Sequence, residues 1–194
     1  ELTFLTGWLP GPRQQACTAP GGWPRFTQAV AAILWHELAI LASGLLLVAI
    51  TWDAPNQVGL WTFVVLWVMR TSAKLNLFFG VRNLSEEFLP AHLTYMGSYF
   101  RRRPMNAFLP VSIILSTVAL VLIGLRAMNI ETGTADAVGL ILVGSMLAMA
   151  ILEHFLLVLP LPSTALWRWA LRNRTPPGAD HVAVPVGATD SAGH

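Results

Sequence analysis

The sequence predicts an all-α fold, a polytopic bundle of about four transmembrane helices with a short interfacial helix, on three observations. Only 11% of its residues are charged and 55% are hydrophobic, against about 25% charged in soluble domains. The stretches 29–50, 58–79, 105–125 and 137–159 are apolar, and each is long enough, at ~1.5 Å per residue, to cross a ~30 Å hydrocarbon core. Eight tryptophans suit a chain that has headgroup layers to anchor in.

Taken in order, Leu2 to Leu9 reads as the end of an apolar segment, so further spans are expected upstream. Residues 10–24 hold four Pro and three Gly and form a loop, which completes a leading region over 1–28. The membrane domain is expected over 29–172. Its first span, 29–50, leads through Asp53 and Pro55 into the second, 58–79, which carries Arg70, Lys74 and Asn76. Residues 80–103 are too polar to span, with Arg82, Glu86, Glu87, His92 and the run Arg101-Arg102-Arg103. Within them Pro90 to Phe100 has the mix of apolar and polar residues of an interfacial helix. The third span, 105–125, and the fourth, 137–159, flank a connection containing Glu131. Pro160 and Pro162 stop the last helix, a short interfacial helix with Trp167 and Trp169 follows over 163–172, and 173–194 reads as a disordered tail.

Arg13, Arg25, Lys74, Arg82, Arg101 to Arg103, Arg168, Arg172 and Arg174 fall on one side, Arg126 alone on the other. The positive-inside rule then makes the C-terminus and the 80–103 connection cytoplasmic. A net charge of +2 gives no reason to expect a nucleic-acid partner. Cys17 is the single cysteine, so the chain forms no internal disulfide and no thiolate cluster. Phosphate-binding glycine loops, nucleophile elbows and His-Glu-x-x-His are absent from the sequence.

Charge inside a span is costly and marks candidate functional residues. By depth, His36 and Glu37 lie ~10–12 Å from the cytoplasmic surface, Arg70 ~13 Å, Lys74 ~7 Å, Glu153 ~9 Å and His154 ~7 Å. Carboxylates, imidazoles and cations are therefore expected in one layer, with Glu86, Glu87 and His92 just outside it. Three readings of that layer stay open. Glu37 and Glu153 neutralise Arg70 and Lys74, which lie four apart on one helix face, with Asn76 beside them. Alternatively the Glu and His side chains hold iron or zinc, although neighbouring residues such as His36 and Glu37 point ~100° apart on a helix. In the third reading His36, His92 or His154 ligates the magnesium of a chlorophyll-type pigment.

Several strings carry a family likeness: Trp35-His36-Glu37-Leu38, Pro55-Asn56-Gln57-Val58-Gly59, Trp61-Thr62-Phe63, Ser72-Ala73-Lys74-Leu75-Asn76, Asn83-Leu84, Glu86-Glu87-Phe88-Leu89-Pro90, Ser98-Tyr99-Phe100, Met105-Asn106, Leu152-Glu153-His154 and Leu159-Pro160-Leu161-Pro162. Over 1–172 the chain resembles the photosynthetic complex assembly proteins of the PuhE type from phototrophic purple bacteria. The resemblance implies an integral protein of the bacterial inner, or intracytoplasmic, membrane that helps assemble the reaction centre and core antenna and is linked to bacteriochlorophyll supply. Its partners would be subunits of those complexes or bacteriochlorophyll-biosynthesis enzymes, in a setting of membrane lipid. The expected role is that of a non-enzymatic scaffold whose 80–103 connection docks partners through Glu86, Glu87 and Arg101 to Arg103. A Glu/His-ligated membrane enzyme, or a membrane subunit of one, and a bacteriochlorophyll carrier are the alternatives.

Overall fold

The computed structural model describes residues 2–84, 89–130 and 134–159. The chain divides into two compact units, Glu1–Pro160 and Leu161–His194. The second, with the helix expected over 163–172 and the tail expected over 173–194, lies outside the described residues. So do Glu86, Glu87 and Glu131.

The first unit is helical, in the order α1 (Leu2–Leu5), α2 (Gly22–Thr51), α3 (Val58–Phe79), a 3-10 helix (Ala91–Tyr99), α4 (Phe108–Met128) and α5 (Ala135–Leu156). Four of these, α2 to α5, are long and apolar enough to cross a membrane, so this is a multi-pass membrane protein. α2 begins at Gly22, inside the expected loop, because Pro24 sits in its first turn, where a missing N–H costs nothing. Pro110 is placed the same way in α4. α5 stops at Leu156, just short of Pro160.

α4 and α5 form an antiparallel hairpin, α3 packs along α5, and α2 lies outermost against α3. Met69, Leu147, Ala150 and Ile151 form the apolar centre, flanked by Val65, Ile113, Ala119, Leu120 and Ile123. The outward faces are as apolar as the core: Leu45, Ile50, Leu115, Leu122, Ile141 and Met149 are all exposed. Where the surroundings are hydrocarbon, burying Leu gains little, and close backbone approach with interhelical hydrogen bonds holds helices together instead. The chain follows that rule. A Cβ on Gly44 would stand 2.6 Å from the Phe63 ring, and one on Gly139 2.4 Å from a Val58 methyl. The buried polar side chains include Ser72, Asn76, Ser112, Ser116 and His154.

The helix ends are closed by side chains and returning backbone. Asn56 Oδ1 accepts from the Val58 N–H at the start of α3, and Gln57 Nε2 donates to the carbonyls of Thr51 and Ala54. Thr134 accepts from the Ala137 N–H to cap α5. At the end of α3 the Gly80 N–H donates to Asn76 O and the Arg101 N–H to Leu77 O. Asn106 then ties α3 to α4: its amide donates to Asn76 O, Asn76 Oδ1 and Gly80 O, while its oxygen accepts from the N–H groups of Phe108 and Leu109. Orphan carbonyls and amides at a helix end need such partners, more so beside lipid.

Candidate functional site

Two polar links join the helices at nearly one level of α3. Lys74 Nζ donates to Glu37 Oε1 across the α2–α3 seam, and the two side chains keep 30% and 23% of their surface exposed. About half a turn away, Ser72 meets His154 of α5 with 2.9 Å between Oγ and Nε2. His154 Nδ1 lies 2.8 Å from Ala150 O. A carbonyl only accepts, so Nδ1 carries a proton, and in that tautomer Nε2 accepts a hydrogen bond from the Ser72 hydroxyl. Both ring nitrogens are thereby used, and His154 offers no spare lone pair to a metal or pigment in this arrangement. The pairing has the atoms of a nucleophile and its base, but Ser72 is 9% and His154 1% exposed. As built it is a clasp between α3 and α5.

The clasp continues into a network. Asn76 Nδ2 donates to Ser72 O and to Ser112 Oγ, and Ser112 and Ser116 each return a hydroxyl to a carbonyl of α4. Asn76, expected beside the cations as a charge partner, thus serves Ser72, Ser112 and Asn106 instead. The reason is its position: Asn76 lies four residues beyond Ser72 on the face of α3 turned toward α4 and α5.

The N-terminal segment packs over α2 and the 3-10 helix. His36 is buried with its ring 4.5 Å from that of Phe4, and its backbone N–H donates to Pro10 O. Gly11 lies so close to the backbone of Ala31 and Ala32 that a Cβ would stand 2.2 Å from Ala31 O. His92 is exposed, its Nε2 2.9 Å from Leu5 O. It borders a recess of about 170 Å³ shared with Thr6, Gly7, Pro10, Gln14, Leu93 and Tyr95. Burial, then the neighbouring Tyr99, push the Tyr95 phenol above its ordinary value. Tyr99 itself is buried, accepting from Arg13 Nε and donating to Gln15 O.

The structure therefore brings together Lys74 with Glu37 and His154 with Ser72, but not the whole expected layer. Glu153 is exposed on α5 and makes no ion pair with a described residue. Arg70 lies on an exposed face of α3 and is not brought to Glu37, whose partner is Lys74. Among the described residues no three His, Cys, Asp or Glu side chains converge on a point where a metal ion could be held. The cause is the ~100° step between neighbours on a helix, which turns Glu153 outward when His154 turns in, and Glu37 toward α3 when His36 turns under Phe4. Arg102 and Arg103 are exposed and Arg101 is partly so. Val81 and Arg102 form a single parallel bridge, with the Val81 N–H donating to Arg101 O and the Arg103 N–H to Val81 O, so the run is strapped across the end of α3.

Sequence reasoning missed Ser72, Ser112, Ser116 and Asn106 as structural polar groups, and Arg13, Arg25 and Tyr99 as a cluster. The signal for the first set was present: Ser72 with Asn76, and Ser112 with Ser116, are polar pairs four apart inside apolar helices, the spacing of one buried stripe.

Comparison with known proteins places this geometry in a family. Residues 1–178 match the family described as Protein of unknown function (DUF3623). A relative from Rhodobacter capsulatus, the uncharacterized 30.4 kDa protein in the puhA 5' region, is 40% identical over 187 residues, which cover 96% of this chain and 68% of the relative. No solved structure matches the chain. A match over nearly the whole length, carried by both a family model and a relative of that identity, means that this chain belongs to the DUF3623 family.

Proposed function

We propose that this chain is an integral membrane assembly factor for the bacterial photosynthetic reaction centre and core antenna, linked to bacteriochlorophyll supply and acting as a scaffold. The observation that carries the reading is the relative in the puhA 5' region of Rhodobacter capsulatus, a location that fits a photosynthesis gene cluster and agrees with the resemblance to the PuhE type. The geometry supports a scaffold rather than a reaction vessel: Lys74, Glu37, Ser72, His154, Asn76 and Asn106 are spent on one another or on backbone. The protein sits in the inner or intracytoplasmic membrane, its basic end and C-terminus toward the cytoplasm, as the gathering of arginines at that end supports. Its partners are subunits of the photosynthetic complexes or bacteriochlorophyll-biosynthesis enzymes, met through the 80–103 connection.

Removing the gene tests this. Membranes of the deletion strain are expected to lose most of their core-complex near-infrared absorbance, with recovery when the full chain is supplied in trans. Unchanged core-complex and bacteriochlorophyll levels would refute the assembly role. Metal analysis of the purified chain separates the enzyme reading: stoichiometric iron or zinc that disappears in Glu37→Gln would replace the scaffold by a metal-dependent membrane enzyme.

A further inference from the structure

We draw no further inference here: the strongest candidate, the exposed face of α5 that sets the Glu153 carboxylate among Met149, Leu152 and Leu156, carries none, because nothing in the structure shows what covers it.

Discussion

Ser72 shows what one hydroxyl does inside a bundle that lacks the usual hydrophobic drive. Replaced by alanine, it leaves His154 Nε2 buried without its donor, while Nδ1 stays bound to Ala150 O. Interhelical hydrogen bonds in membranes average about 0.6 kcal/mol and reach about 1.7, and an orphaned buried acceptor adds to that loss. Ser72→Ala is expected to cost about 1–2 kcal/mol, measured by denaturant unfolding in detergent. The Ser72→Ala/His154→Leu double variant should lose less than the sum of the single changes, since it removes the orphan as well; strict additivity would deny the pairing. Lys74 and Glu37 differ in kind. Either one alone leaves a charge in a span, at about 2.5–3.5 kcal/mol on the insertion scale. Lys74→Glu should therefore cut the amount of protein that reaches the membrane, and Glu37→Lys added to it should restore much of that amount. A swap that accumulates no better than Lys74→Glu would show that the pair contributes nothing. Their partial exposure places the gain at the lower end of that range.

At the scale of elements, small residues decide where helices approach. Gly139 of α5 touches Val58 of α3 closely enough that a Cβ would overlap a methyl, whereas Gly124 of α4 has open space around it. Gly139→Leu should destabilise by about 1–3 kcal/mol through overpacking, and Gly124→Ala should leave the unfolding midpoint unchanged or raise it by the helix-propensity gain of up to about 1 kcal/mol. An equal response of the two sites would mean that the α3–α5 seam is looser than described. The helices themselves were legible in the sequence, because length and apolarity alone select spans in lipid. Their inner faces were not. With apolar residues all round, periodicity does not say which side of α5 meets α3, so the sequence puts His154 and Glu153 in one layer although one is buried and the other exposed. The polar pairs Ser72–Asn76 and Ser112–Ser116 would have given the inner face, had hydroxyls and amides been weighted as heavily as charges. Capping by Asn56, Gln57 and Asn106 was hidden because it depends on how the connections fold back.

The whole molecule is polarised along its axis. The end bearing the starts of α2 and α4 collects Arg13, Arg25, Arg82 and Arg101 to Arg103, while the opposite end has Asp53, Asp136 and Arg126. On the proposed topology, the positive-inside rule holds the basic end of such a bundle on the cytoplasmic side. Cys17, the single cysteine, lies on that end with its N–H bound to Ser98 Oγ and its side chain partly exposed, so the chain carries its own probe. In intact spheroplasts a membrane-impermeant maleimide should leave Cys17 unmodified, and should modify it once the membrane is opened. In a Cys17→Ser background, Asp53→Cys places a thiol on the other end and should be labelled without opening the membrane. Labelling of Cys17 from outside together with protection of Asp53→Cys would invert the topology. The two labelling reactions thus decide which way the arginine-bearing end faces.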